Sequence, residues 1–256
     1  MIRETIPGKN GYHIPCLHNL SGGEKSVCVI SHGFGSSKDS PTAGLLAQGL
    51  GKYGAGVLAF DFPAHGESPV DGSMLSIRRC MDDLASAEAR ALELAPGAVI
   101  CYFASSFGAY INLLYLSCRP HRGSRAFLRS AAVEMPKLLH ARAPEERAQL
   151  SGRGYLMLDM AGYVRPLKLT REFLADLDAH DLFQLYRKGA AQVAMVHGDR
   201  DDVAPLEAAQ RFAHRFGTAL TVFPGGGHSL DGPGMAERVL RLAGEFFAEE
   251  RSPAEG

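Results

Sequence analysis

Ala98-Val99-Ile100-Cys101-Tyr102-Phe103-Ala104-Ser105-Ser106-Phe107-Gly108 is the stretch on which the reading of this chain turns. The apolar run Ala98–Phe103 reads as a buried strand, and a helix-like pattern begins at Ala109. Between them the chain must reverse within a few residues. Strand and helix then pack so closely that only small residues fit two positions before and two after the residue at the apex. Ala104 and Gly108 hold those two positions, and Ser106 is the apex. The strict form of such a turn is Gly-x-Ser-x-Gly, and Ala104 departs from it by one methyl group. A serine lifted out of a sheet in this way is a candidate nucleophile.

Three further segments read together with it. Ser31-His32-Gly33-Phe34-Gly35 follows the apolar run Val27–Ile30. A strand running into His-Gly-aromatic is where a hydrolase can place part of an oxyanion hole, which needs two backbone N–H groups aimed at one developing charge. Phe34 would supply the first and Phe107, the residue after the serine, the second. His197-Gly198-Asp199-Arg200-Asp201-Asp202-Val203-Ala204-Pro205 follows the run Val193–Val196 and places carboxylates beyond a strand end. Gly225-Gly226-Gly227-His228-Ser229-Leu230 follows Ala219–Phe223, and its glycines let the chain fold back so that an imidazole can reach Ser106.

The order serine, aspartate, histidine along the chain is that of the α/β-hydrolases. With His32-Gly33-Phe34, Asp61-Phe62-Pro63-Ala64-His65-Gly66-Glu67-Ser68, Ala104–Gly108, His197–Pro205 and Gly227-His228 in sequence, the chain resembles that superfamily. It looks most like the small bacterial esterases of the feruloyl (cinnamoyl) type. The resemblance implies an α/β fold: a mostly parallel sheet flanked by helices with an inserted cap. It implies a serine hydrolase acting on a carboxylic ester through an acyl-enzyme, with Ser106, Asp201 and His228 as catalytic residues and Phe34 and Phe107 as the oxyanion hole. The family register His-Gly-x-x-Asp-x-x-x-Pro selects Asp201 over Asp199 and Asp202. It also implies bracing roles for Asp61 and His65, and His197 reads as a residue that orients the acid loop. A thioesterase, a peptidase, a carbon–carbon bond hydrolase or a catalytically silent binding module would reuse the same pattern.

Composition is consistent with one large α/β unit. The chain has 256 residues, 46% hydrophobic, with a formal net charge of −1. No long basic run is present, so nucleic acid is not an expected partner. The five cysteines, Cys16, Cys28, Cys80, Cys101 and Cys118, form no Cys-x-x-Cys pair, and Cys28 and Cys101 lie within apolar runs. They read as buried thiols of a reducing compartment. Neither a signal region nor a membrane-length apolar run is seen, so a cytoplasmic location is expected. His13, His18, His121, His140, His180 and His214 lack ligand-like spacing, and no Gly-x-Gly-x-x-Gly opens a helix. No metal and no cofactor are therefore expected. The expected partner is a small-molecule ester, and a homodimer is left open.

Along the chain, predicted strands at Val27–Ile30, Gly56–Phe60, Ala98–Phe103, Arg125–Arg129, Val193–Val196 and Ala219–Phe223 alternate with predicted helices. The helices are Ala43–Lys52, Ser76–Leu94, Ala109–Ser117, Leu206–Arg215 and Gly234–Glu249. In Ser76–Leu94, Ile77, Met81, Leu84, Ala87, Ala91 and Leu94 recur at helical spacing, with Arg78, Asp82, Asp83, Glu88 and Arg90 on the other face. Such alternation predicts a parallel sheet. It lapses over residues 130–188, which divide the chain into core (1–129), cap (130–188) and core (189–256). Met135, Leu138, Leu139, Tyr155, Met157, Leu158, Tyr163, Phe173 and Phe183 either line a substrate pocket there or form the cap's own core. Tyr155, Met157 and Phe173 are the substrate-binding candidates. Arg142, Arg147, Arg153, Arg165 and Arg171 would suit an acid-bearing substrate or a solvated surface, and Arg251–Gly256 reads as a frayed tail.

Overall fold

The computed structural model describes residues 1–141, 143–189 and 191–249; Arg142 and the tail Arg251–Gly256 lie outside them. Strands β1 (Ile2–Pro7), β2 (His13–His18), β3 (Ser26–Ser31), β4 (Ala55–Phe60), β5 (Val99–Ser105) and β6 (Arg125–Arg129) precede the 130–188 segment. Within that segment are β7 (Tyr155–Leu158) and β8 (Leu167–Thr170), and after it come β9 (Gln192–Gly198) and β10 (Ala219–Phe223). Eight strands form one sheet in the order β1-β2-β4-β3-β5-β6-β9-β10. The six strands from β4 to β10 are parallel, while β2 pairs antiparallel with both β4 and β1.

The central strands have no polar face because both faces are covered. Along β5, Ile100, Tyr102 and Ala104 enter one core, and Cys101 and Phe103 enter the other. The helices that cover the two faces are α1 (Pro41–Gly49) and α9 (Met235–Ala248) on one side, and α2 (Ile77–Leu94), α3 (Phe107–Cys118) and α8 (Leu206–Phe216) on the other. Thus α1 begins at the Ser40 cap, whose hydroxyl accepts from the Ala43 N–H, and Pro41 at its first position needs no partner there.

Three features differ from the sequence reading. The hairpin β1–β2 is not among the predicted strands, because neither strand is continuously apolar. The polar face assigned to α2 is partly buried: Asp83 accepts from the Tyr12 hydroxyl at 2.8 Å, and Glu88 accepts from the Tyr102 and Tyr115 hydroxyls and the Arg122 N–H. Donors meet both groups, yet burial still pushes the Asp83 carboxyl up to about 7. Finally, residues 130–188 do hold regular structure: α4 (Met135–His140), α5 (Pro144–Arg153), the antiparallel pair β7–β8, α6 (Arg171–Asp178) and α7 (Leu182–Leu185).

Candidate active site

The turn between β5 and α3 carries Ser106 at φ +51° and ψ −114°, a conformation that non-glycine residues rarely hold. It is held from several sides. The Ser106 N–H donates to the Arg129 carbonyl at 3.0 Å, and the Ser106 carbonyl accepts from Ala109, Tyr110 and Ala132. Gly108 has no room for a side chain: a Cβ there would lie 2.4 Å from the Ser31 carbonyl oxygen and 2.5 Å from that of His32. This close crossing of α3 over the end of β3 is the physical basis of the small residue after the serine. On the other side, a Cβ on Gly33 would lie 3.5 Å from Ser106 Cβ, so the loop after β3 runs beside the serine.

His228 reaches Ser106 from the loop after β10. Its Nε2 is 3.0 Å from Ser106 Oγ, and its Nδ1 is 2.9 and 2.8 Å from the two oxygens of Asp201. Those partners fix the tautomer: Nδ1–H donates to the carboxylate and Nε2 accepts from the hydroxyl. The Asp201 side chain is fully buried and accepts as well from the Val203 and Ala204 N–H groups; one oxygen lies 3.1 Å from His197 Nε2, whose N–H also reaches the Ala204 carbonyl at 2.8 Å. Burial alone would raise the Asp201 carboxyl. The hydrogen bonds from His197 and His228 outweigh that and hold it well below its ordinary value. Asp199 instead accepts from the Gly225 N–H at 2.7 Å, and the Arg200 N–H donates to the Gly226 carbonyl. These bonds zip the acid loop to the histidine loop. Asp202 is exposed and Asp199 serves the turn, so Asp201 alone of the three meets His228.

Phe34 and Phe107 lie face to edge, their ring centroids 5.3 Å apart. Phe107 opens α3, where the first N–H groups have no acceptor within the helix. Among the described residues, no hydrogen bond takes up the N–H of Phe34 or Phe107. Beneath them lies His65, stacked on Phe107 at 6.0 Å and edge-on to Phe34 at 5.2 Å. Its Nδ1–H donates to the Pro63 carbonyl. The neighbouring His32 donates from Nδ1 to the Gly33 carbonyl and accepts from the Phe62 N–H at Nε2. Burial pushes His32 down to about 4 and His65 down to about 3, so both rings are neutral.

The 130–188 segment docks on these same loops. Phe173 of α6 is 1% exposed and lies 6.2 Å from Phe34 and 6.3 Å from Phe107. Tyr163 packs on Phe34 at 6.2 Å and over Gly35, whose carbonyl accepts from the Val164 N–H. Arg165 donates to the carbonyls of Ala64, Ser68 and Val70, so it is neither solvated nor free for an acidic substrate. Of the other substrate-binding candidates, Met157 is half-exposed and lines a surface groove with Val70, Gly72 and Lys168. Tyr155 lies under the Lys168 ammonium. That groove contains none of Ser106, Asp201 and His228.

Sequence reasoning missed the polar frame around the site. Lys38 is buried, with Nζ 3.0 Å from Asp61 and 2.6 Å from Glu67, and its N–H donates to Asp61 at 2.7 Å. Asp61 also accepts from the Glu67 N–H, so it ties the loop after β3 to the loop after β4. Arg129 donates to the Ser229 carbonyl and to the Thr42 hydroxyl, and Ser130 donates to the His228 carbonyl. Nothing in the local sequence marks Lys38, Arg129 or Ser130: apart from Asp39 beside Lys38, their side-chain partners are distant in the chain.

Residues 22–172 match the hydrolase family described as serine aminopeptidase, S33. The match takes in Ser106 and stops before Asp201 and His228. Among solved structures, a protein of Agrobacterium vitis S4 described as a hydrolase superposes with a TM-score of 0.81 at 19% identity, covering 96% of this chain and 97% of the other. Est1E of Butyrivibrio proteoclasticus with ferulic acid bound gives 0.79 at 19% identity, covering 96% and 100%. The mouse α/β hydrolase domain-containing protein 10 gives 0.77 at 15% identity, covering 96% and 98%. At these identities the likeness speaks to the fold. No curated protein matches the chain. The family match spans more than half of the sequence and the fold agrees with it throughout: the chain belongs to the serine aminopeptidase S33 family of α/β-hydrolases.

Proposed function

We propose that the protein is a serine esterase that cleaves a small apolar or aromatic carboxylic ester through an acyl-enzyme. The observation that carries the proposal is the unbroken hydrogen-bonded chain Ser106 Oγ–His228 Nε2, His228 Nδ1–Asp201, set beside two uncommitted N–H groups. In acylation, Ser106 Oγ attacks the acyl carbon as His228 Nε2 takes its proton. Asp201 stabilises the imidazolium, and the Phe34 and Phe107 amides bind the oxyanion. Collapse breaks the bond to the alcohol oxygen, which leaves with the proton from His228. Water then attacks the acyl carbon, gives a proton to His228, and releases the acid as Ser106 recovers that proton. No cofactor enters these steps.

The aromatic surround of Phe34, Tyr163, Phe107 and Phe173 favours an apolar or aromatic group next to the reacting carbonyl. Est1E, with ferulic acid bound, is a neighbour of the same fold and supports that preference. In this reading residues 130–188 act as a cap that sets substrate choice.

The test is a panel of p-nitrophenyl esters, methyl hydroxycinnamates, acyl thioesters and aminoacyl p-nitroanilides, run beside covalent labelling with a fluorophosphonate. Turnover of the esters and label on Ser106 are expected, with Ser106→Ala losing both and Ser105→Ala keeping most of each. Preference for aminoacyl anilides would make it a peptidase. A folded protein that takes no label would be a binding module.

A further inference from the structure

Ser130 is the first residue past β6, and its φ is +49° although it is not glycine. The left-handed region costs a non-glycine residue about 1 kcal/mol or more, a strain that glycine would not bear. Its side chain is buried, and its hydroxyl donates to the His228 carbonyl at 2.7 Å. The strained backbone is therefore coupled to a contact that glycine would lack.

The two residues Arg129 and Ser130 touch the turn of Ser106, the loop of His228 and the strand that leads to Asp201. The Arg129 carbonyl accepts from the Ser106 N–H at 3.0 Å. The Arg129 guanidinium donates to the Ser229 carbonyl at 2.7 Å. The Ser130 N–H donates to the Val196 carbonyl at 2.8 Å, in the strand that leads to Asp201. The His228 loop is rich in glycine, with Gly225, Gly226 and Gly227 before the histidine; the loop of Asp199 and Arg200 holds Gly225 and Gly226, and Ser130 holds the carbonyl of His228 itself.

We infer that the turn Arg129–Ser130 is a positioning element that sets the separation of Ser106 Oγ and His228 Nε2, with the Ser130 hydroxyl as its decisive contact. The inference rests on the reading of Ser106 as nucleophile and His228 as base. One short turn holds the backbone of the nucleophile with its carbonyl and the backbone of the base with its side chain. A change at Ser130 moves one relative to the other, in both acylation and deacylation. A displacement of about 1 Å from an attack geometry costs on the order of a hundredfold in rate.

The experiment compares wild type, Ser130→Gly and Ser130→Ala by thermal melting, by the rate of fluorophosphonate labelling, and by kcat and KM on p-nitrophenyl butyrate. Ser130→Gly relieves the backbone and is expected to melt no lower than Ser130→Ala. Both are expected to lose kcat by about ten- to a hundredfold with KM within a factor of two, and labelling should slow by the same factor. A folded Ser130→Gly with wild-type labelling and kcat, or a loss confined to KM, overturns the inference and leaves the nucleophile assignment standing. A wild-type protein that takes no label at Ser106 removes that assignment and the inference with it.

Discussion

Gly108→Ala tests whether the steric crossing at the serine turn sets the separation of the Phe34 and Phe107 N–H groups, the proposed oxyanion hole. The added Cβ would sit 2.4 Å from the Ser31 oxygen, 2.5 Å from the His32 oxygen and 2.7 Å from the Ser31 carbonyl carbon. All three are backbone atoms and cannot swing aside. Ordinary contact begins at 3.4 Å, so about 1.0 Å of separation is needed (3.4 less 2.4). Ser31 is held in register by Phe60 on one side and Ala104 on the other, so β3 cannot yield and α3 must move. Alanine gains up to about 1 kcal/mol of helix propensity over glycine. Overpacking of this kind costs about 1–3 kcal/mol and outweighs that gain. The moving element carries the Phe107 N–H, whereas Phe34 stays with β3, so the two donors separate. A loss of about a hundredfold in kcat is expected, with a lower urea midpoint. Denaturation and ester turnover on the same preparation would read both. Ala104→Gly, on the strand side of the serine, should keep kcat and lose only about 0.5–1 kcal/mol. A Gly108→Ala protein with wild-type midpoint and wild-type kcat would refute the reasoning.

Asp201→Asn leaves the shape of the acid loop but cannot hold His228 Nδ1–H as a carboxylate does. A fall in kcat of about 10³- to 10⁴-fold is expected, as in other triads, whereas Asp199→Asn should stay within a few-fold. Acid should destabilise the protein through His32 and His65. Their folded values of about 4 and about 3 lie below the ordinary 6.5, so between those limits the unfolded chain binds protons that the folded one excludes. Their contribution is full above pH 6.5 and falls as pH drops, by about 2 kcal/mol per histidine at pH 5. The buried Asp83 carboxyl, raised to about 7, opposes this loss over the same window, so the test is the difference between variants in denaturation curves taken from pH 7 to 5. His65→Phe should be spared about 2 kcal/mol of acid loss at pH 5 relative to wild type, and an unchanged pH dependence would contradict the burial argument. Phe173→Ala removes a ring buried against Phe34 and Phe107; it should cost about 3–5 kcal/mol of stability. It should also change the ratio of kcat/KM between short and bulky esters, and an unchanged ratio would separate α6 from substrate choice.

The parts of the fold that were legible are those whose environment is uniform along the element. Strands β3, β4 and β5 are buried on both faces, so an unbroken apolar run is their signature. The hairpin β1–β2 is not: β1 is mostly exposed, and β2 carries His13, Pro15 and His18. In β7 and β8 four residues each are too few for a period to register. Ser106, Asp201 and His228 were legible for a different reason. Each lies a few residues past the end of an apolar run, where a parallel sheet delivers its loops to one edge. The residues that hold them could not be read. Ser130 and His228 are 98 positions apart, and Lys38 and Asp61 are 23 apart, so these pairings exist only after the sheet order has formed.

The pleat of the β7–β8 pair decides which of its side chains face the core and which face solvent. Leu156 and Leu158 are buried, while Met157 is half-exposed and Tyr155 is only partly covered, as a period of two requires. The hairpin therefore presents its leucines to the core and turns Met157 to the groove lined by Val70 and Lys168. Contact with Phe34 and Phe107 comes instead from Phe173 on α6, and Tyr163 in the β7–β8 connection adds a second contact with Phe34. Residues 163–165 bind the loop after β3 through Gly35 and the loop after β4 through Ala64, Ser68 and Val70. A substitution in this short strap would reach Phe34 through its own backbone, whereas one at Met157 would have to act across the hairpin. The strap and Phe173, more than the exposed face of β7, are thus the elements through which the inserted segment can shape the surroundings of Ser106.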